Sequence, residues 1–386
     1  MKNNSRVQIV LLICIMILCA YSYHPRFFDL ASGSIKNHSV VLLAELMIFF
    51  LAIISVKKIY FNSTIKVYVN CVLLIALFIT FFVAIGFDAS YGAVLSMLLP
   101  LCGIIIGKNL KIDESAMMGC LRIYMVASIL IGFLCIMTNL GAFVIVDQYA
   151  VAGKNASGAM LGVSGCIAFY SAVRCKKTPL FLFDIASLLM IFVEMLTMRA
   201  RLATLGLLLL IFLMIIKGDV RVKPIYVLTG IIFICVALSI SFDSIGQFIY
   251  DSFFQNKDSN LTSGRTDLNK AALNVVASSP FWGTLRGDYI VDDTYQVHNF
   301  LLNTISHYGL LFCIPWVLIY IKIGFSALNA VFRNKASRGM FYLANILILY
   351  LYWESLGEYT YPWGPGTITF VPFLLLGNTY KDVESN

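Results

Sequence analysis

Long apolar runs recur along the whole chain, separated by short polar segments. A membrane-spanning helix needs about 20 mostly apolar residues. Runs of this kind fall at about residues 7–23, 39–56, 67–86, 89–107, 117–138, 157–173, 179–197, 202–216, 224–242, 299–321, 340–353 and 363–378. The pattern therefore predicts an all-α, polytopic integral membrane protein, a single domain over residues 1–386 with about twelve transmembrane helices. The first run lacks a small-residue cleavage site, so we expect a mature helix rather than a signal peptide.

Composition narrows the class of protein further. Of 386 residues, 60% are hydrophobic and only 12% are charged, whereas a soluble domain carries roughly 25% charged residues. So few charges do not coat a soluble surface, which excludes a cytosolic globular enzyme, a disordered chain and a disulfide-stapled secreted domain. The ten cysteines lie almost entirely in or beside apolar runs, so we interpret them as small core residues.

The basic residues fall unevenly on the two sides of the predicted membrane. With the N-terminus in the cytoplasm, eighteen of the 28 Lys and Arg residues lie on the inner side, nine lie on the outer side, and Arg122 falls inside a span. This distribution follows the positive-inside rule and predicts that both termini are cytoplasmic. The net charge of +8 therefore needs no nucleic-acid partner.

One outward loop is much longer than the others and covers residues 243–298. A long loop without regular structure usually carries function. Within it, an apolar repeat predicts an amphipathic helix that Ser278-Ser279-Pro280 ends and Thr266 caps; the repeat comprises Leu268, Ala271, Ala272, Val275 and Val276. Arg265 then precedes a helix N-terminus, a favourable place for a phosphate or pyrophosphate. The alternative is that Arg265 pairs with a surface carboxylate such as Asp267.

His298-Asn299 mark the point at which the long loop re-enters the membrane. A histidine at a membrane mouth is a candidate acid or base near neutral pH. The alternative is an interfacial histidine that keeps its polar end in water. His307, deeper in the same run, is expected to be a packing residue.

Further polar residues lie on the outward side. Arg199 and Arg201 flank a very short turn between two spans, on the side that the positive-inside rule disfavours. An anionic ligand explains them; pairing of one with Glu194 is the alternative. Lys154-Asn155 can hold a sugar or phosphate or form an ordinary polar turn.

Glu354 and Glu358 are interleaved with Trp353, Tyr359 and Tyr361 at the outer end of a late span. Carboxylates beside aromatic rings suit sugar hydroxyls and sugar faces. The alternative is an ordinary aromatic belt at the membrane surface.

Sequence signatures of nucleotide and metal sites are absent. The chain has no Walker P-loop, no Rossmann glycine fingerprint, no HExxH and no histidine–cysteine cluster. Asp292-Asp293 is too weak a signal to assign a metal. We therefore predict neither a metal nor a cofactor.

Several of these motifs together resemble the O-antigen polymerase and ligase superfamily of bacterial envelope enzymes. The resemblance rests on Ser263-Gly264-Arg265, Ser279-Pro280-Phe281-Trp282-Gly283, His298-Asn299-Phe300-Leu301 and Tyr308-Gly309-Leu310, over roughly residues 260–311. Lys154-Asn155 and the junction from Thr197 to Arg201 are weaker matches. The junction reads Met198-Arg199 where that family often has Ser-Arg.

The resemblance implies a glycosyltransferase in the bacterial inner membrane whose active site faces the periplasm. An O-antigen polymerase moves a growing glycan from undecaprenyl pyrophosphate onto a new lipid-linked repeat unit. The implied catalytic residues are His298, Arg265, Glu354 and Glu358, and the implied substrate-binding residues are Arg199, Arg201, Lys154, Asn155, Asn299 and Arg286. The implied partners are the lipid-linked donor and acceptor, membrane lipids and a chain-length regulator protein.

Two alternatives stay open at the level of sequence. An O-antigen ligase shares these motifs and differs only in its acceptor, the lipid A core. A flippase for lipid-linked sugars is a transporter rather than an enzyme. Transporters often have paired halves and charges at the midplane, whereas here the unusual polar residues cluster on one face.

Overall fold

The computed structural model describes residues 2–24, 28–29, 34–35, 38–55, 63–86, 92–110, 112–138, 154–175, 177–217, 265–284, 297–333, 339–358, 362–363 and 366–384. Its thirteen described helices are α1 Lys2–Tyr21, α2 His38–Ser55, α3 Ser63–Ala84, α4 Gly92–Asn109, α5 Glu114–Thr138, α6 Lys154–Arg174, α7 Thr178–Thr197, α8 Arg201–Lys217, α9 Arg265–Ser278, α10 Phe300–Phe312, α11 Ile314–Arg333, α12 Met340–Glu354 and α13 Phe370–Glu384. A 3-10 helix, Gly366–Thr369, precedes α13, and the two-residue strands β1 Phe28–Asp29 and β2 Ser34–Ile35 pair antiparallel.

The helical membrane class predicted from sequence agrees with these elements. Within the described residues, five helices are long and apolar enough to cross a membrane, in α3, α5, α6, α7 and α11, and six more apolar helices are shorter. Many large apolar side chains, such as Leu77 and Leu182, are exposed on the helix surfaces, as expected of residues that face lipid. The predicted span at 224–242 and most of the long outward loop lie outside the described residues.

One predicted span is wrong. Residues 299–321 do not form one helix: α10 contains a non-helical residue at Gly309, with φ 70° and ψ 170°, and ends at Phe312 before α11 begins at Ile314. The apolar run is continuous in sequence, so hydrophobicity alone gives no sign of the break.

The chain forms two compact units. The first comprises residues Met1–Leu42 and Ile112–Leu261. In it α6 packs against α5, α7 and α8, and small residues allow the close approach: a methyl group at Gly158 would meet the Cβ of Ala200, and one at Gly165 would meet Leu207. Asp113 caps α5 by accepting from the backbone N–H of Ala116 at 2.8 Å.

The second unit comprises Leu43–Lys111 and Thr262–Asn386. Its tightest contact is between α4 and α13. Side chains added at Gly103 and Gly107 would meet the backbone of α13 around Leu374, and one at Gly377 would meet the backbone of Ile104. The Gly103–Gly107 spacing is the small-xxx-small pattern of closely packed membrane helices. α12 packs on α13 and α11, and α9 packs on α10.

Candidate functional site

The turn that follows α9, residues 279–284, is hydrogen-bonded to the break in α10 at Gly309. The Thr284 N–H donates to the Ser306 carbonyl at 2.9 Å, and the Leu310 N–H donates to the Pro280 carbonyl at 2.8 Å. The break frees backbone groups of α10, and the turn satisfies them. Two of the motifs that stand out in the sequence, 279–283 and 308–310, therefore form one interlocked element.

Glycine is required on both sides of this contact. Gly283 has φ 61° and Gly309 has φ 70°, a region that L side chains rarely adopt. A Cβ at Gly283 would lie 2.6 Å from the Gly309 nitrogen, and a Cβ at Gly309 would collide with the Phe281 carbonyl. Any larger residue would therefore separate the turn from the break.

His298 lies beside a carboxylate from a distant part of the sequence. Its Nδ1 is 3.4 Å from Glu358 Oε2. The His298 side chain is 33% exposed and that of Glu358 is 12% exposed. Both residues are candidates on sequence grounds, and the fold of the second unit brings them together.

The start of α10 is held against the end of α12 by backbone contacts. Asn299 is the N-cap of α10: its Oδ1 accepts from the Leu302 N–H at 2.9 Å. The Phe300 N–H donates to the Ser355 carbonyl at 3.0 Å, just after α12 ends. Asn299 therefore has a clear structural function beside the predicted substrate-binding one.

A partly buried hydroxyl network supports the same junction. Tyr320 Oη and Ser355 Oγ are 2.7 Å apart, and the Tyr352 hydroxyl donates to the Tyr320 carbonyl at 2.6 Å. The rings of Phe300 and Tyr320 stack with centroids 5.3 Å apart. These contacts hold the backbone just after His298 and just before Glu358, and so help to position the pair.

Glu354 and Glu358 differ in their surroundings. Glu354, the last residue of α12, is fully buried, whereas Glu358 reaches the surface beside His298. Of the two carboxylates predicted from sequence, Glu358 is the one in hydrogen-bonding range of His298.

Arg265 begins the amphipathic helix that the apolar repeat predicts. α9 runs from Arg265 to Ser278 and ends at Ser279-Pro280 as expected. Thr266 is not its N-cap, because the helix already includes Arg265. Asp267 lies 3.9 Å from Lys270, an exposed pair on the same helix. Arg286, Asp292 and Asp293 lie outside the described residues.

The remaining predicted residues lie in the first unit, around two helix ends. α7 ends at Thr197 and α8 begins at Arg201, so the predicted very short turn is confirmed. Arg199 has φ 54° and is, among the described residues, the non-glycine residue with positive φ. Such a conformation costs about 1 kcal/mol or more and often marks a functional turn. Both Arg199 and Arg201 are partly exposed.

Lys154 and Asn155 form the first turn of α6, not a loop before a helix. Three residues further on, Gly158 packs against Ala200 in the α7–α8 turn. The start of α6 and the turn that holds Arg199 and Arg201 are therefore neighbours in this unit. The structure thus brings these sequence-predicted residues to one region of the unit.

The alternative pairing of an arginine with Glu194 is wrong. Glu194 is 3% exposed, and within the part of the chain that the structure describes neither of its oxygens has a hydrogen-bond partner. Its carboxylate points at α5, where a methyl group on Gly132 would collide with Oε2. From sequence alone, Glu194 is considered only as an alternative partner for Arg199 or Arg201.

Chemically, these residues comprise an oriented imidazole–carboxylate pair in one unit and two arginines on a strained turn in the other. Such groups can accept a proton and bind an anion. Within the described residues there is no cluster of three histidine, cysteine or acidic side chains that could hold a metal ion. Compared with known proteins, the chain matches no protein-family model and no curated protein.

Proposed function

We propose that this protein is a polysaccharide polymerase of the bacterial inner membrane. In this proposal it transfers a growing glycan from undecaprenyl pyrophosphate to a sugar hydroxyl of an incoming lipid-linked repeat unit, at the periplasmic face. The 3.4 Å contact between His298 Nδ1 and Glu358 Oε2 carries the proposal, because it gives the chain an oriented general base. The motif resemblance over residues 260–311 supplies the reaction class.

The histidine acts on the acceptor. With Nδ1–H donating to Glu358, Nε2 is the nitrogen that accepts the proton of the attacking hydroxyl. The carboxylate fixes the tautomer and stabilises the imidazolium that forms. The rigid junction of α10 with α12 limits the movement of both groups.

Arg265 acts on the leaving group. As the acceptor oxygen bonds to the anomeric carbon, the bond from that carbon to the pyrophosphate oxygen breaks, and the lipid pyrophosphate departs with the electron pair. The developing negative charge needs fixed cations, and such electrostatic stabilisation is often the main source of an enzyme's rate enhancement. Arg265, at the N-terminus of α9, provides such a cation, and Arg199 and Arg201 are proposed separately as substrate-binding residues of the first unit. A single displacement inverts the anomeric carbon.

The apolar helices and the distribution of basic residues support the proposed location. Five described helices are apolar and long enough to span a bilayer, and the excess of basic residues on one side supports a cytoplasmic location for both termini. About twelve spans in total would then leave the long loop and the predicted site residues on the outer face.

Deletion of the gene in its host, followed by gel analysis of surface glycan, tests the proposal. A polymerase mutant retains a single repeat unit on the surface. Loss of all attached glycan with lipid-linked polymer retained would indicate a ligase, and repeat units that accumulate in the cytoplasm would indicate a flippase. An unchanged glycan ladder would overturn all three assignments.

Point variants then test the residues. Arg265→Ala should remove long chains and leave single-repeat products, while Lys270→Ala on the same helix should keep the normal ladder. His298→Gln should lower the turnover number by about 10²- to 10⁴-fold with little effect on donor binding. Glu358→Gln should lower it less, and His24→Gln serves as the matched histidine control. An unchanged turnover number in His298→Gln removes this residue as the base.

A further inference from the structure

The first unit has a charged cavity where three helix ends meet. α5 begins at Glu114, α6 ends at Arg174 and α7 begins at Thr178, so all three ends lie at the same side of this unit. An open cavity of about 350 Å³ lies between them; its walls include Glu114, Arg122, Tyr170, Arg174, Lys177 and Leu180. This cavity is separate from the residues assigned to glycan transfer.

The deep wall of the cavity is built on a satisfied ion pair. Arg122 Nε and Nη2 donate to the two oxygens of Asp184 at 3.0 and 2.7 Å, and Ser171 Oγ donates to Asp184 at 2.6 Å. Asp184 is fully buried, while the Arg122 side chain is 21% exposed. The guanidinium is therefore held in place with part of its surface open to the cavity.

The mouth of the cavity carries two more cations. Arg174 Nη1 donates to the Tyr170 hydroxyl at 2.8 Å, and its guanidinium lies 5.3 Å from the centre of that ring. Lys177 is exposed at the N-cap of α7 and gives the helix no side-chain cap, so the positive end of the helix dipole adds to the field. Glu114 is the acidic residue in the lining of the cavity, and it offsets part of this positive charge.

We propose that this cavity binds the phosphate group of an anionic phospholipid, phosphatidylglycerol being the best fit. Two guanidinium groups and an ammonium suit a phosphate, and the Glu114 carboxylate and Ser115 hydroxyl suit the glycerol hydroxyls of that headgroup. Basic pockets between membrane helices on the cytoplasmic side are sites of this kind.

The apolar surface next to the cavity favours a lipid over free phosphate. Leu180 and Met118 line the cavity itself, and Leu182 and Phe183 are exposed further along α7. Acyl chains of a bound phospholipid would cover these side chains, whereas inorganic phosphate would leave them bare. The sequence also assigns Arg174 and Lys177 to the cytoplasmic side by the positive-inside rule.

Binding of defined lipids to the purified full-length chain tests the proposal. Native mass spectrometry in detergent counts bound phosphatidylglycerol or phosphatidylcholine, and thermal shifts measure the stabilisation by each lipid. We expect the wild type to bind phosphatidylglycerol roughly tenfold more tightly than the Arg174→Gln/Lys177→Gln double variant. The double variant Arg6→Gln/Lys322→Gln, which removes two exposed charges elsewhere, should bind like the wild type.

Several outcomes would overturn the site. Equal affinity for phosphatidylglycerol in the wild type and the Arg174/Lys177 variant excludes binding in this cavity, and equal affinity for the two lipids excludes recognition of the anionic headgroup. If inorganic phosphate stabilises the chain as strongly as phosphatidylglycerol does, the site takes free phosphate and the lipid assignment is wrong. The single variant Lys177→Glu, at an exposed position, repeats the test with a charge reversal.

Discussion

Helix α7 buries two carboxylates whose surroundings are opposite. Asp184, in its second turn, accepts hydrogen bonds from both Arg122 and Ser171. Glu194, ten residues or about 15 Å further along the axis, is almost as deeply buried. Within the described residues neither oxygen of Glu194 has a hydrogen-bond partner.

Packing explains the buried carboxylate of Asp184, because it is part of an ion pair. Packing does not explain the buried carboxyl group of Glu194. A buried charge with a well-placed partner contributes little net stability, but loss of that partner is costly. A buried carboxyl without a partner lowers stability, because its desolvation is not offset. Glu194 also lies on the same short segment of chain as Arg199 and Arg201, near the C-terminal end of α7. Its presence is therefore better explained by function than by packing.

The largest effect should come from breaking the satisfied pair. Asp184→Asn leaves Arg122 without its counter-ion, and we expect the free energy of unfolding to fall by about 3 kcal/mol, the lower end for a buried pair because Arg122 is partly exposed. Thermal unfolding in detergent measures the change. The double variant Asp184→Leu/Arg122→Met removes both charges and should recover most of the loss; no recovery would mean that the pair itself does not account for the effect.

The matched change at Glu194 should have the opposite sign. Glu194→Gln replaces a buried carboxyl group that has no hydrogen-bond partner within the described residues, so we expect the free energy of unfolding to rise by about 1 kcal/mol or stay unchanged. The same thermal measurement applies, and the glycan ladder of the variant tests for a role in transfer. A loss as large as that of Asp184→Asn would show that Glu194 has a partner, and the contrast between the two acids would fail.

A smaller effect should follow at the residue that faces Glu194. Gly132→Ala places a methyl group against Oε2, and the carboxylate must move; since the moving group is the end of a flexible side chain, we expect a loss of about 1 kcal/mol at most. In a Glu194→Ala background the loss should vanish. A double-mutant cycle measures the coupling, and additive losses would contradict the contact.

The sequence predicts elements better than it predicts partners. The apolar runs at 117–138, 179–197 and 202–216 coincide with α5, α7 and α8, because hydrophobic length alone determines such helices. The amphipathic repeat around Leu268 correctly predicts α9, since its signal is local. Arg122 and Asp184 are both charged residues within predicted spans. Because charged residues inside a membrane usually pair, this rule favours a contact between them.

Long-range geometry is beyond the reach of sequence patterns. The break at Gly309 depends on a turn that lies over twenty residues earlier in the chain, and a glycine in an apolar run predicts no such contact. His298 and Glu358 are 60 residues apart, so composition marks each as a candidate without pairing them. Because Arg199 is close to Glu194 in sequence, the two are expected to pair. This expectation is wrong, since distance along the sequence does not indicate which side of α7 the carboxylate faces.

The contact between α4 and α13 has a consequence for biosynthesis. The glycine face of α4 is made early, yet the backbone that covers it belongs to residues about 270 positions later. At roughly 5–20 residues per second, α4 waits on the order of ten seconds or more for its partner. If translation stops before α13 is made, the glycine face of α4 in the second unit therefore has no helix packed against it.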